Sequence, residues 1–223
     1  MKKRLLAFLA LATLATPTIC SATPPRMGPY MSAFIGVAVP TNTDVTGFDV
    51  GAGDLNDRVE FDPGINIGAT GGFDYGFVRL EGELSYKHGE INRVVEINGT
   101  RYTNIDGSVG ALAVLGNIFL DLHNPSPVTP YLGGGVGFAA MHQSDTFGTS
   151  PSRNRAELYQ SDDDTVFAYQ AGVGLEIALS RMLSLDVGYR YFGTSKATFT
   201  GPDTENELKF ESHNAAVGLR VKF

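Results

Sequence analysis

Between residues 77 and 87 the chain alternates strictly. Val78, Leu80, Leu84 and Tyr86 hold the even positions, and Arg79, Glu81, Glu83, Ser85 and Lys87 hold the odd ones. Side chains that change face at every residue are the mark of a β-strand, and no helical period produces this order. The same period of two recurs in seven other stretches, at 30–39, 64–73, 108–120, 129–141, 166–179, 183–192 and 213–223. The pattern therefore predicts eight strands from Pro29 to the last residue. Each has one apolar face, such as Met31, Ala33, Ile35, Val37 and Val39 in the first. Its other face is charged or rich in glycine and alanine, as with Gly133, Gly135 and Gly137 in the fifth.

The connections alternate in length. Asp74-Tyr75-Gly76, the segment from Asp121 to Val128 and Ser180-Arg181 are short. Pro40 to Pro63, His88 to Gly107, His142 to Thr165 and Gly193 to Ser212 are long. Three short turns at one end and four long loops at the other are what an eight-stranded, antiparallel, up-and-down transmembrane β-barrel requires. No later stretch holds 18 uninterrupted apolar residues, so a spanning form has to be a closed barrel, the one sheet that leaves no backbone group unpaired in lipid.

The second long loop contains a β-hairpin, residues 91–105, in which Asn98-Gly99 suits a two-residue type I′ turn. That turn pairs odd residues with even ones, whereas the flanking strands both place even residues on the apolar face. A β-bulge near His88-Gly89-Glu90 is predicted to reconcile the two registers.

Three features decide which face meets which medium. The polar faces carry the small residues that a narrow eight-stranded interior needs. Aromatic residues sit near the ends of the apolar faces: Phe73 and Phe223 toward the short turns, and Tyr86, Phe167, Tyr169, Tyr189 and Tyr191 toward the long loops. Such a distribution fits two interfacial girdles. The third feature is an export signal. Met1-Lys2-Lys3-Arg4 is a basic start, Leu5 to Ala15 an apolar core, and Cys20-Ser21-Ala22 a small-residue cleavage region, so residues 1–22 are expected to be a removed signal peptide and 23–223 the barrel domain. Apolar faces then turn to lipid and polar faces to the lumen.

This orientation gathers nine ionic side chains inside. Arg79, Lys87, Arg190, Arg220 and Lys222 face Glu81, Glu83, Glu176 and Asp186. Buried charges persist only when paired, so these are expected to form an ion-pair plug across the lumen, with a charged pore constriction as the alternative. The whole chain has a formal charge of −7, and loss of the cationic leader makes it more acidic. An acidic chain without a basic face is a poor nucleic-acid ligand. The single cysteine lies in the leader, which leaves no disulfide chemistry for the barrel.

The last strand places Val217, Leu219, Val221 and Phe223 on one face and Gly218, Arg220 and Lys222 on the other, and the sequence stops on Phe223. Together with the alternation from Arg79 to Tyr86 and the strand from Pro130 to Gly137, this resembles the small outer-membrane β-barrel family of OmpA-like transmembrane domains and opacity-type surface antigens. The resemblance implies a Gram-negative outer-membrane location and a surface or adhesion role exerted through the loops. It implies lipid and lipopolysaccharide as surroundings, with Gly218, Val221 and Phe223 forming a signal read by the barrel-assembly machinery. A narrow porin-type channel for small solutes is the second reading.

Other constellations are weaker. His142-x-Ser144 with Glu157 resembles the residues of lipid A deacylases, although the residues after the serine do not follow that pattern. The neutral reading is a polar strand end. Asp162-Asp163-Asp164 and the acids of the 40–63 loop lack calcium-loop spacing. Gly133-Gly134-Gly135 and Gly172-Val173-Gly174 sit within strands and precede no helix, so they are not phosphate loops. The histidines at 88, 123, 142 and 213 show no ligand spacing, and no metal, cofactor or catalytic role is assigned.

Overall fold

The computed structural model describes residues 27–41, 43–49, 53–95, 101–149, 155–159, 162–200 and 204–223. Eight long strands form the wall: β1 (Gly28–Pro40), β2 (Gly64–Asp74), β3 (Val78–Val95), β4 (Ser108–Asp121), β5 (Val128–Gln143), β6 (Asp162–Ala178), β7 (Leu183–Thr200) and β8 (Thr204–Lys222). Each pairs antiparallel with its neighbours in sequence, and β1 pairs with β8 from Tyr30↔Lys222 to Pro40↔Ser212, which closes the cylinder. The predicted eight-stranded antiparallel barrel is the observed fold.

The turns follow from local chemistry. In the first, Tyr75 N donates to Val78 O at 2.9 Å and Gly76 N to Asp74 Oδ1 at 2.7 Å. Gly76 has φ +94°, a conformation that glycine adopts without strain. At the third turn Leu183 N donates to Ser180 Oγ at 3.0 Å.

The strands are longer than the alternation implied. β3 and β7 each run 18 residues and β8 runs 19. At ~3.3 Å per residue they reach about 60 Å, roughly twice the hydrocarbon thickness of a bilayer. All three are tied at the short-turn end, so the excess projects beyond the loop side. There the hairpin Thr43–Asp49/Gly53–Phe61 continues the wall, pairing with β8 at Thr46↔Glu207 and with β3 at Val59↔Val94. Much of what reads as loop is therefore extended sheet.

The predicted bulge at His88–Glu90 is absent from the β3–β4 ladder, which runs unbroken from Val78↔Leu120 to Glu90↔Ser108. Val94 pairs with Tyr102 and Val95 with Arg101, joining residues of like parity, so no conflict needs resolving. The turn at Asn98-Gly99 lies outside the described residues. An irregularity does occur on the other edge of β3, where Phe61 faces Ile91 but Glu60 faces Arg93.

Candidate functional site

Inward residues of β3, β6, β7 and β8 bring the lumen charges together in two tiers. In the tier near the short turns, Arg79 Nη2 lies 3.3 Å from Asp121 Oδ1 and Arg79 Nη1 lies 3.7 Å from Glu176 Oε2. Arg220 grips Glu176 and also Asp186, at 2.7 Å, while Lys222 Nζ reaches Asp74 at 3.1 Å and Glu176 at 2.8 Å. In the tier above, Arg190 pairs with Glu83 at 2.5 Å and lies 3.8 Å from Glu81. Gln170 Nε2 and Asn117 Nδ2 also donate to Glu83 Oε2, at 2.7 and 3.1 Å.

Eight of the nine predicted residues thus share ion pairs, and the pattern missed two more. Asp74 and Asp121, each 1% exposed, belong to the lower tier, although both sit where strands pass into turns. Lys87 is placed differently. No carboxylate among the described residues lies within ion-pair distance of it; it donates to Ser85 Oγ at 2.8 Å and stands 4.2 Å over the Phe192 ring.

Aromatic residues brace these charges. Tyr30 Oη donates to Glu81 Oε2 at 2.8 Å and Tyr131 Oη to Asp186 Oδ1 at 2.7 Å. The Arg79 guanidinium lies 4.8 Å from the Tyr131 ring centre, and that of Arg220 4.9 Å from Tyr30. Such contacts offset part of the cost of burying these charges, while Arg79 Nε and Nη1, both Asp121 carboxylate oxygens and Arg220 Nε have no hydrogen-bond partner among the described residues. Beside them lies a cavity of about 20 Å³ bordered by Asn66, Thr70 and Ser32, room for roughly one water molecule.

From the level of Lys87 toward the loop end the interior becomes more apolar. Val109, Ala111, Met141, Val166, Phe192 and Phe210 are buried in one apolar cluster, whose member Leu115 reaches down to face Glu83. Val59, Ile91, Ala197 and Leu208 belong to the same cluster, with Phe61 and Ile105 packed against it. The lumen is therefore ionic below and largely apolar above, where Gln143, Thr194 and Ser212 are also buried.

The outer surface is the reverse of a water-soluble barrel. Met31, Val114 and Phe138 are 63%, 60% and 63% exposed, whereas Arg79 and Arg220 are 1% and 2% exposed. Phe73, Tyr75, Phe77 and Phe223 ring the short-turn end, and Tyr86, Phe138, Phe167 and Tyr189 ring the loop end. An apolar band between two aromatic girdles around a polar lower lumen matches a cylinder solvated by lipid. A family model described as an outer membrane protein beta-barrel domain matches residues 5–223.

The chain belongs to that family.

Its place is the bacterial outer membrane. The outer membrane protein PagN of Salmonella typhimurium is 27% identical over 144 residues, which cover 62% of this chain and 57% of PagN. An uncharacterized protein of Brucella abortus is 33% identical over 108 residues, 47% of this chain and 37% of that protein. The match thus spans little more than half of PagN and about a third of the Brucella relative. Among solved structures, OprG of Pseudomonas aeruginosa superposes with a TM-score of 0.61 at 14% identity, covering 88% of this chain and 96% of OprG. Neisserial surface protein A gives 0.51 at 18% identity, covering 88% and 97%. At these identities the structures share the fold.

The remaining sequence candidates separate in space. Val221 and Phe223 point outward, while Gly218 is buried against the Phe34 backbone and Cβ. His142 Nδ1 bonds Asp163 Oδ1 at 2.6 Å, whereas Ser144 Oγ donates to Ser108 O at 3.2 Å. The two are not hydrogen-bonded to each other among the described residues, and the Glu157 side chain lies outside them. Of the acidic triplet, Asp163 turns to His142 and Asp164 accepts from Thr198 N at 2.8 Å, so consecutive carboxylates diverge.

Proposed function

We propose that this outer-membrane barrel is a closed, non-catalytic anchor that holds its extracellular hairpins for recognition at the cell surface. The observation that carries this reading is the continuity of the upper apolar cluster. Phe192 and Met141 fill the top of the lumen, and the same cluster takes in Val59 from the first extracellular hairpin and Ile91, Leu208 and Phe210 from the projecting strands. One packed body thereby stops the bore and stiffens the parts that meet the outside. The ionic tiers formed by Arg79, Glu81, Glu83, Glu176, Asp186, Arg190, Arg220 and Lys222 close the other end. Lys87 stands between the two stoppers. A porin-type pathway would have to cross both.

Lipid and lipopolysaccharide surround the apolar band in this reading, and the strand bearing Gly218, Val221 and Phe223 is the segment presented to the barrel-assembly machinery. A hydrolase would need His142 to reach Ser144, and each has a different partner.

Surface display in a non-adherent Gram-negative host tests the function. Cells carrying the whole chain should adhere to cultured epithelial cells or matrix. Cells carrying a variant in which residues 43–61 are replaced by a short turn should lose adherence while the barrel stays folded. Equal adherence with and without the hairpin, together with a steady open conductance of the purified barrel, would overturn the reading in favour of a channel.

A further inference from the structure

At the outer end of β3 the wall divides. β3 and β4 stay paired up to Glu90↔Ser108, and Ile91 N still reaches Gly107 O at 2.9 Å. Beyond that point the strand Arg101–Asp106 turns to Thr146–Thr149, through Thr103↔Thr149 and Asp106↔Phe147, and rejoins β3 only at Val94 and Val95. The parting leaves a cleft of about 470 Å³ on the outer side, above the girdle residue Tyr86. Asp62, Glu90, Asn92 and Ser144 border it, with Ile91 and Ile105 contributing its apolar part.

The chemistry of the cleft is one-sided. Asp62 N donates to Glu90 O at 2.9 Å, which sets these two acidic residues opposite each other on one sheet face. Like charges so placed repel, and a cation between them removes that cost. Asp62 Oδ1 accepts from Asn92 Nδ2 at 2.7 Å. The Glu90 carboxylate has no hydrogen-bonding or ionic partner among the described residues. Ser144 spends its proton on Ser108 O, so the cleft offers acceptors and few donors. The His88 ring borders one side and stacks on Tyr86 at 6.2 Å and 20°.

We propose that the cleft binds an arginine side chain of an extended peptide belonging to a partner protein. The proposal rests on the recognition role above and names the chemistry of what is recognised. A side chain with an apolar stem and a cationic head matches a mainly polar lining that carries two carboxylates beside the edges of Ile91 and Ile105. The planar guanidinium suits a pair of facing carboxylates and an aromatic face better than a compact ammonium does. The net charge of −7 draws basic partners in.

The test is a titration of the isotope-labelled full-length barrel in lipid nanodiscs, followed by amide chemical shifts. The probes are the peptide acetyl-Gly-Arg-Gly-amide, its citrulline counterpart and spermidine. The arginine peptide should give saturable shifts confined to residues 62, 88–92, 105–108 and 144, and the neutral citrulline peptide none. Glu90→Gln should weaken the arginine peptide roughly five-fold, and Asp62→Asn with Glu90→Gln should abolish the shifts while the remaining spectrum is retained. Equal shifts from citrulline, or shifts that survive the double substitution, would overturn the assignment. Tighter binding of spermidine than of the peptide would give the cleft to a free polyamine and overturn it as well. Because the readout is local, its failure leaves the adherence experiment standing by itself.

Discussion

Tyr131 Oη donates to Asp186 Oδ1 at 2.7 Å across the lumen, and it does so over two bare backbones. A methyl group added at Gly174 would overlap the Tyr131 hydroxyl and ring edge, and one at Gly188 would come within 2.8 Å of the same oxygen. Gly174 on β6 and Gly188 on β7 are therefore the counterpart of the large Tyr131 on β5. Gly174→Ala is expected to destabilise the barrel by about 1–3 kcal/mol, the usual cost of overpacking. Urea unfolding in liposomes measures it. Tyr131→Phe paired with Gly174→Ala should recover part of the loss, because the overlapping hydroxyl is gone.

Arg220 holds Glu176 and Asp186 together at 2% exposure. Arg220→Met leaves two carboxylates facing each other in a site that water barely enters. The expected cost is about 3–5 kcal/mol. Adding Glu176→Gln and Asp186→Asn should return much of it, and a triple variant no more stable than the single one would remove the ion-pair account of the lower lumen.

The two stoppers predict a non-additive conductance. Replacing Arg79, Arg190 and Arg220 by serine should leave planar-bilayer current at baseline, since Phe192, Phe210 and Met141 still fill the upper bore. Phe192→Ala with Phe210→Ala should also stay silent, because the ionic tiers remain. Only the combined variant should pass ions. A steady current from either set alone would place the whole barrier at one level.

Phe223 is 54% exposed on the lipid side, and its N donates to Pro29 O at 3.0 Å through the backbone. Phe223→Ala keeps that bond. It is expected to leave refolding into liposomes almost unchanged while lowering the heat-modifiable, folded fraction in cells. Parallel losses in both assays would make the residue a stability element and no assembly signal.

The wall and its orientation were legible in the alternation, because Leu80, Leu84 and Tyr86 share one parity and Arg79, Glu81 and Glu83 the other. Asp74 and Asp121 escaped notice because they close their strands and look like turn residues. Tyr30, Phe119 and Tyr131 each take the inward parity of their own strand, yet an aromatic residue in a barrel sequence is readily assigned to a girdle. Their signal was the glycine facing them, as at Gly72 against Tyr30 and Gly174 against Tyr131. The upper apolar cluster was hidden differently. Ala197, Leu208 and Phe210 lie in a stretch that reads as loop, so their inward parity had no strand to belong to. The bulge at His88–Glu90 followed from a two-residue turn, and pairing of Val94 with Tyr102 removes that premise. The cleft beside Asp62 and Glu90 arises because Arg101–Asp106 exchanges one partner strand for another, a choice that depends on residues some forty positions away.

The cylinder's inside and outside can be told apart residue by residue along β4. The only native cysteine is Cys20, so a chain with Cys20 replaced accepts single spin labels at 111, 112, 113, 114, 117 and 118. Labels at Leu112, Val114 and Ile118 should relax strongly with lipid-dissolved oxygen, and those at Ala111, Ala113 and Asn117 should be shielded from it. A uniform oxygen response, or one with the opposite parity, would contradict the lipid-facing assignment on which the closed anchor and its lumen chemistry depend.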